Sequence, residues 1–130
     1  MTDLGSRRVA ITGATGLVGS ALAAALRAGG NEVVAISRTP GPGRVVWDPL
    51  RRTIDLAGLQ GVNAVVHLAG ENLAGARWTA PRKELLRSSR IGPTQWLAGV
   101  LAGLSPRPAV LVSASAVGIY GSRADELLSE

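Results

Sequence analysis

Three glycines spaced three residues apart, Gly13, Gly16 and Gly19, constrain this chain more than any other feature. They follow a short apolar run at residues 9–11 and precede an uncharged stretch at residues 20–26 whose apolar side chains recur at helical spacing. This order predicts a strand, a tight turn and a helix. Such a turn leaves free backbone N–H groups at the helix N-terminus, where an anion such as a phosphate binds.

The position of these glycines indicates what kind of anion the turn binds. Glycine-rich turns are common, but a dinucleotide-binding turn must lie directly between a strand and a helix, as this one does. Gly16 leaves room for a pyrophosphate, and Gly19 lets the helix pack close to the strand. The stretch therefore predicts a dinucleotide site formed by Gly13, Thr15, Gly16, Leu17, Val18 and Gly19.

The composition suits a buried parallel sheet covered by helices. The 130 residues are enough for one domain, and 46% of them are hydrophobic while only 3% are aromatic. The core must therefore consist mainly of Val, Leu, Ile and Ala, as in parallel sheets that are covered on both faces. The lack of cysteine excludes disulfides and thiolate chemistry, and with a single histidine we expect no metal site.

The formal net charge is +5, from 14 basic and 9 acidic residues, and the basic residues are scattered along the chain. Scattered arginines without interleaved aromatic residues do not form the surface that nucleic acids bind, so we expect no nucleic-acid partner. Phosphate groups on a cofactor or on a small substrate are the simpler explanation of the charge. Glycines and polar residues interrupt the apolar stretch after Arg8, so we also expect no membrane span and a cytoplasmic location.

The apolar patterning predicts an α/β chain with the element order β-α-β-β-β-α-α-β. Main strands are expected at residues 8–12, 32–37, 44–47, 63–68 and 109–113, with a short extra strand at 53–56. Helices are expected at 17–28, after Thr79 through Ser89, and at 94–104, the last two separated because Gly92-Pro93 breaks a helix. We predict a Rossmann-type three-layer fold with a mostly parallel sheet of about five strands in the order 3-2-1-4-5.

The residues at the end of the second strand select between the two nicotinamide cofactors. NAD-binding chains carry an Asp or Glu there, which bonds the ribose hydroxyls and repels a 2′-phosphate. This chain has Ser37 and Arg38, and a hydroxyl beside a guanidinium suits a phosphate. We therefore predict NADP(H) rather than NAD(H). The alternative is that Arg38 is a solvated arginine at a strand end.

Three stretches resemble the extended short-chain dehydrogenase/reductase superfamily: residues 12–19 (TGATGLVG), 66–70 (VHLAG) and 113–121 (SASAVGIYG). The chain is more narrowly similar to the atypical branch that resembles NAD(P)-dependent epimerases/dehydratases and sugar-nucleotide epimerases, in residues 68–73 (LAGENL), 77–78 (RW) and 89–91 (SRI). The resemblance implies an oxidoreductase or isomerase that moves a hydride between nicotinamide and a hydroxyl- or carbonyl-bearing carbon. It also implies a small substrate, phosphorylated or a nucleotide sugar.

The resemblance assigns roles to single residues near the last strand. Ser115 matches the family's active-site Ser or Thr, with Ser113 as the second candidate, and Tyr120 matches a tyrosine that lines the substrate pocket. Three further residues have two open interpretations, namely Arg77, Trp78 and Arg90. One is contact with a charged substrate. The other is a core position for Trp78 and a solvated helix face for the two arginines.

The resemblance also implies cofactor contacts after the fourth strand, from Leu68, Ala69, Gly70 and Glu71. Glu71 and its neighbour Asn72 have two open interpretations, a turn or capping role and a contact with cofactor or substrate. For His67, in an apolar strand, the better interpretation is a hydrogen-bonded core residue rather than a base.

Two departures from the family pattern bear on activity. The Tyr-x-x-x-Lys pair of the superfamily is absent, because Tyr120 is the only tyrosine and no lysine follows it. Family members are usually much longer, so we expect residues 1–130 to be a dinucleotide-binding Rossmann domain without its substrate-binding part. The alternatives are a non-catalytic NADP(H)-binding regulatory module, and a fragment that forms oligomers through an exposed sheet edge.

Overall fold

The computed structural model describes residues 5–115 and 124–127. They contain six strands, two α-helices and a short 3₁₀ helix at Ala57–Leu59. In chain order the main elements are β1 (Arg8–Thr12), α1 (Leu17–Ala28), β2 (Glu32–Ser37), β3 (Arg44–Asp48), β4 (Thr53–Ile54), β5 (Ala64–His67), α2 (Ala80–Ala102) and β6 (Val110–Ser113).

The strands form one sheet in the order β4-β3-β2-β1-β5-β6. Neighbouring strands are parallel except for β4, which runs antiparallel to β3. Without β4, this is the predicted order 3-2-1-4-5, so the Rossmann-type fold is confirmed. β1 lies between β2 and β5, at the point where the order of the strands reverses. Sheets of this type bind ligands at the carboxyl ends of those strands.

The two faces of the sheet have different covers. On one face, side chains from four strands pack with α2 in the larger core, which contains Ala10, Val34, Val45, Val65, Leu97 and Leu101. On the other face, Val9 and Ile11 of β1 pack with Ala23 of α1. Burial of one Val or Leu side chain contributes about 1.5–3 kcal/mol. The larger core buries several such side chains between α2 and the strands, and this burial holds α2 on the sheet.

The turn between β1 and α1 brings two glycines into backbone contact. Gly13 has a φ of +69°, a conformation that residues with a Cβ rarely adopt. A Cβ on Gly19 would lie 2.1 Å from the carbonyl oxygen of Gly13, so only glycine lets the first turn of α1 approach the end of β1 this closely. Two of the regularly spaced glycines thus meet different requirements: Gly13 allows a positive φ, and Gly19 allows a close backbone contact.

α2 is one continuous helix, so the prediction of two helices separated at Gly92-Pro93 is wrong. Pro93 removes one backbone donor, which costs roughly 3 kcal/mol in a helix interior. The helix continues because it is anchored on both sides of the proline. Leu86 is buried before Pro93, and Leu97 and Leu101 are buried after it.

β6 is an edge strand of the sheet, and its apolar side chains are exposed. Val110 and Val112 pair in register with Ala64 and Val66 of β5, so these four side chains share one face. About half of the surface of each β6 valine is accessible to solvent. Among the described strands, β6 is the one whose large apolar side chains are most exposed to solvent.

Candidate functional site

A cavity of about 710 Å³ lies at the carboxyl ends of β1, β2 and β5. This is the edge at which open α/β sheets bind ligands. Its walls come from the turn after β1, the segment after β2, and the segment after β5 with the adjacent side of α2. The residues that line it include Gly13, Ala14, Thr15, Arg27, Ser37, Arg38, Thr39, Arg44, Trp47, Ala69, Gly70, Glu71, Leu85, Ser89 and Pro93.

At the β1 end of the cavity, the lining residues of the turn, Gly13, Ala14 and Thr15, have no side chain or a small one. Gly16 precedes α1 without a side-chain cap, and the first turn of the helix carries no acidic residue. The N–H groups of this turn and the positive end of the helix dipole therefore meet no carboxylate from the turn itself. This geometry suits a phosphate that accepts hydrogen bonds from backbone N–H groups.

The predicted contacts in the glycine stretch fall into two groups. Gly13 and Thr15 line the cavity, whereas four others do not, namely Gly16, Leu17, Val18 and Gly19. Gly19 is buried against Gly13, which gives it a packing role. Leu17 and Val18 are exposed at the start of α1, by 91% and 65% of their surface.

At the β2 end of the cavity, Ser37 and Arg38 are both lining residues. The hydroxyl of Ser37 accepts a hydrogen bond from the N–H of Thr39 at 3.1 Å, which orders the turn after the strand. Arg38 is exposed. A hydroxyl and a guanidinium therefore lie together at the place where the sequence predicts a 2′-phosphate.

Two arginines that sequence reasoning missed, Arg27 and Arg44, also line the cavity. The side chain of Arg44 folds over the preceding loop, because a Cβ on Gly41 would lie 3.1 Å from its Cδ and 3.3 Å from its Nε. The loop at residues 39–43 (TPGPG) carries the only sequence signal for this arrangement, since a glycine there leaves room for the arginine. Among the described lining residues, Glu71 is the only carboxylate, and it follows β5 rather than β2.

The segment after β5 lies against the turn after β1. The hydroxyl of Thr12 accepts hydrogen bonds from the N–H groups of Leu68 at 3.0 Å and Ala69 at 3.1 Å. A Cβ on Gly13 would lie 3.1 Å from both the nitrogen of Ala69 and the carbonyl carbon of Leu68. The two backbones meet here as the floor of the cavity, with Ala69 and Gly70 among the lining residues and Leu68 outside them.

Polar side chains of α2 hold the segment after β5 in place. Arg90 donates from Nη2 to the carbonyl oxygen of Glu71 at 2.9 Å, and its guanidinium lies 3.0–3.2 Å from where a Cβ of Gly70 would be. Ser89 Oγ accepts from the N–H of Glu71 at 3.1 Å. Arg82, which sequence reasoning missed, pairs with the Glu71 carboxylate at 3.2 Å. Arg90 is therefore part of the frame of the cavity rather than of a solvated helix face.

The loop before α2 is shaped by local hydrogen bonds. Asn72 Oδ1 accepts from the N–H of Ala74 at 2.9 Å, which is the turn role considered for it. The indole of Trp78 donates to the carbonyl oxygen of Leu73 at 2.9 Å and is 56% exposed, and Arg77 is also exposed. Asn72, Arg77 and Trp78 do not line the cavity.

His67 is buried beneath the cavity without lining it, with 3% of its surface exposed. Its ring nitrogens lie 2.7 Å from Thr12 Oγ1 and 3.0 Å from Thr94 Oγ1. The ring of Trp47 meets it edge to face, with centroids 6.0 Å apart, and Trp96 stacks on Trp47 at 6.3 Å. Burial lowers the pKa of His67, so the ring is neutral at pH 7. This is the environment of a hydrogen-bonded core residue.

Two of the three predicted catalytic residues, Ser113 and Ser115, are described by the structure and do not belong to the walls of the cavity. Ser113 ends β6, in register with His67, and Ser115 follows two residues later. Both are exposed, and neither lines the cavity. Tyr120 lies outside the described residues. The roles that the resemblance gives these three residues stay predictions.

The side-chain donors that line the cavity are hydroxyls, guanidinium groups and the indole of Trp47, and the first two kinds suit phosphate and ribose oxygens. In the part of the chain that the structure describes, no three His, Asp or Glu side chains come together as metal ligands. The same part contains no helix that is both long and apolar enough to cross a membrane.

Residues 9–130 match the model of the NAD dependent epimerase/dehydratase family. The chain belongs to this family. The match runs from β1 through the glycine turn, the β5 segment and β6, so it includes all three walls of the cavity. The resemblance to extended short-chain dehydrogenases/reductases is therefore confirmed.

Similar proteins extend well beyond the length of this chain. An epimerase family protein of Mycobacterium bovis is 44% identical over 124 residues, which are 94% of this chain and 40% of the relative. The crystal structure of human epimerase family protein SDR39U1 with NADPH is 38% identical, with a TM-score of 0.74, over 85% of this chain and 37% of that one. The structure of MoeE5 in complex with UDP-glucose and NAD is 30% identical, with a TM-score of 0.73, over 97% and 41%. This family member thus spans less than half the length of each.

Proposed function

We propose that this chain binds NADP(H) in the cavity at the carboxyl ends of β1, β2 and β5. The observation that carries the proposal is that the glycine turn after β1, at Gly13 and Thr15, lines the same cavity as Arg38 and Arg44 at the β2 end. Residues 1–130 then form a dinucleotide-binding domain. The domain serves an oxidoreductase or epimerase that acts on a hydroxyl or carbonyl group of a small substrate such as a nucleotide sugar.

The three walls of the cavity fit the three parts of the cofactor. The turn at Gly13 and Thr15 suits the pyrophosphate, and Ser37 with Arg38 suits a 2′-phosphate. On the third wall, the small side chain of Ala69 suits the close approach of the nicotinamide ribose, and the guanidinium of Arg90 lies where a side chain of Gly70 would be. The bound cofactor would supply hydride transfer at C4 of nicotinamide. The residues of this chain bind it, orient it and limit the access of water.

The choice of NADP(H) over NAD(H) rests on the charge at the β2 end. An acidic residue there would bond the ribose hydroxyls and repel a 2′-phosphate, and the described lining residues at that end carry guanidinium groups instead. Among the relatives, the human protein holds NADPH and MoeE5 holds NAD, so membership of the family does not decide between them.

Titration calorimetry with NADPH and NADH tests the proposal. We expect the parent chain to bind NADPH about ten- to a hundredfold more tightly, the range that one or two charge-assisted hydrogen bonds supply. Arg38→Ala should remove most of that preference by weakening NADPH alone. Arg107→Ala, at an exposed arginine that does not line the cavity, is the matched control and should bind like the parent. Equal affinities of the parent for the two cofactors contradict the preference.

The reacting groups are part of the same proposal. Ser115, with Ser113 as the second candidate, would hydrogen-bond the reacting hydroxyl or carbonyl, and Tyr120 would line the substrate side. A second function, a regulatory module that binds NADP(H) without turnover, is favoured by one observation: Ser113 and Ser115 do not line the cavity.

A turnover assay separates the two functions. NADPH oxidation is followed with a panel of carbonyl substrates, and epimerisation is followed with UDP-glucose. Turnover that falls in Ser115→Ala supports the enzyme, and tight cofactor binding without any turnover supports the module. Light scattering measures the association of chains through the β6 edge. A cytoplasmic location also remains part of the proposal, and cell fractionation tests it.

A further inference from the structure

A continuous hydrogen-bond path runs from α2 to the floor of the cavity, and His67 is its central member. His67 Nδ1 lies 2.7 Å from Thr12 Oγ1 at the end of β1, and its Nε2 lies 3.0 Å from Thr94 Oγ1 in α2. Neither His67 nor Thr94 lines the cavity, whereas the backbone that Thr12 holds does so at Ala69. The path therefore reaches the site from below.

The hydroxyl groups fix the direction of this path. Thr12 Oγ1 already accepts two N–H groups, from Leu68 and Ala69, so its own hydrogen is left to donate to His67 Nδ1. The hydroxyl of Thr94 donates to the carbonyl oxygen of Arg90, so it accepts from His67 Nε2. Only the neutral tautomer with a proton on Nε2 satisfies both ends.

The hydrogen-bond path orients two backbone amides at the floor of the cavity. Thr12 Oγ1 orients the amides of Leu68 and Ala69, and the backbone there is in contact with Gly13, where an added Cβ would lie 3.1 Å from the nitrogen of Ala69. The N–H of Leu68 has a second acceptor, the carbonyl oxygen of Thr12 at 3.3 Å. The amide of Ala69 is thus the clearer reporter of the Thr12 hydroxyl.

The same turn of α2 also holds the rim of the cavity. Arg90 is the last acceptor of the path through its carbonyl oxygen, and its guanidinium donates to the carbonyl oxygen of Glu71. The floor and the rim of the β5 wall are thereby tied to one helical turn, residues 90–94. Pro93 lies within this turn and lines the cavity.

We propose that His67, in its Nε2–H form, is a positioning residue that ties α2 to the backbone of Leu68 and Ala69 and so sets the shape of the cavity floor on which the cofactor binds. The identity of the ligand rests on the proposed function. The hydrogen-bond path does not, because it is formed by the chain alone. A merely structural role for His67 would satisfy buried groups without any effect on the affinity of the folded chain for its ligand.

The test cuts the path at its far end, away from the cavity. Thr94→Val removes the hydroxyl with little change of shape, and Thr94→Ser restores it. Leu101→Ala, at a buried residue two turns further along α2, weakens the packing of the helix without touching the path and is the matched control. We expect NADPH to bind about five- to tenfold more weakly to Thr94→Val, as for the loss of one partly buried hydrogen bond. Thr94→Ser and Leu101→Ala should stay within about twofold of the parent.

Two measurements without cofactor make the result independent of the ligand. Amide hydrogen exchange at Ala69 should be faster in Thr94→Val than in the parent or in Leu101→Ala. The amide of the buried residue Ala10 in β1 is the internal reference for the exchange rate. Nitrogen-15 spectra of the parent should show His67 protonated at Nε2 and unprotonated at Nδ1.

The outcomes separate the two proposals. A His67 ring protonated at Nδ1, or a Thr94→Val variant with parental Ala69 exchange and parental affinity, overturns the positioning role. Equal weakening in Thr94→Val and Leu101→Ala also overturns it, because the effect then follows helix packing. A parent chain that binds no NADPH overturns the proposed function instead, and the exchange and nitrogen-15 data still decide whether the path holds the floor.

Discussion

At the β1 end of the cavity, Gly13 and Gly19 shape the surface through the side chains that they lack. At the β5 end, polar side chains bond the backbone into place, among them Arg90 and Ser89 of α2. The two ends should therefore fail in opposite ways. An added atom disrupts the first, and a removed atom disrupts the second.

The largest effect is expected from a single methyl group at the β1 end. In Gly19→Ala the new Cβ would lie 2.1 Å from the carbonyl oxygen of Gly13, so the turn and the helix must separate. We expect the free energy of unfolding in urea to fall by on the order of 3 kcal/mol. Gly99→Ala in α2, where nothing lies within 4 Å of the new Cβ, is the control and should gain about 0.5–1 kcal/mol. Similar losses in both variants would show that the close approach has no special cost.

The second effect comes from removal at the β5 end. Arg90→Ala deletes donors to the carbonyl oxygens of Glu71 and Leu86 and leaves a gap beside Gly70. We expect a loss of about 1.5–3 kcal/mol in urea unfolding, the range for hydrogen bonds of a charged group. Arg87→Ala, at an exposed position of the same helix, should stay within about 0.5 kcal/mol. If the two variants are equally stable, the frame around Glu71 does not contribute.

The third effect depends on pH and comes from His67, which is buried beneath the β5 end. Burial lowers the pKa of His67 below 6.5 in the folded chain, so the unfolded chain binds a proton first as the pH falls. Stability is therefore fully present above pH 6.5 and is lost as the pH falls, by at most about 1.4 kcal/mol per pH unit, until the folded pKa is reached.

Urea unfolding at pH 7.5 and pH 5.5 measures this dependence, with His67→Asn as the variant that cannot titrate. The parent should lose more stability than the variant between the two pH values. A parent curve that runs parallel to that of His67→Asn would show that the folded chain takes up the proton as easily as the unfolded one.

The smallest effect is expected from a side chain at the β1 end. Leu17 is 91% exposed at the start of α1, so Leu17→Ala should change the free energy of unfolding by less than about 0.5 kcal/mol. The same urea titration measures it, beside the Gly19→Ala variant two residues away. A large loss would mean that side chains as well as backbone build this end.

The same contrast explains how much of the site could be predicted from the sequence. The β1 end is local: a glycine pattern within seven residues specifies the turn, and runs of apolar residues specify the strands and their order. The β5 end is not. The contact of Thr12 with His67 spans 55 residues, and that of Arg90 with Glu71 spans 19, so no local pattern reports either of them.

The error at Pro93 and the omission of Arg44 have the same physical origin. The helix-breaking effect of Pro93 is a local property, and the burial of Leu97 and Leu101 that offsets it becomes visible only in the folded chain. The contact of Arg44 with Gly41 is local, but only the fold brings this pair to the wall of the cavity. The sequence thus predicts the sheet and the glycine turn, while the side chains that frame the cavity require the structure.

Trp47 gives the chain an optical reporter at its own cavity. It lines the cavity, meets the edge of the His67 ring and stacks on Trp96 with the two ring planes 17° apart. Reduced nicotinamide absorbs near-ultraviolet light where tryptophan emits, so a reduced cofactor within the cavity should quench this emission by energy transfer. Disturbance of the path through His67 would shift the same fluorescence before any ligand is added.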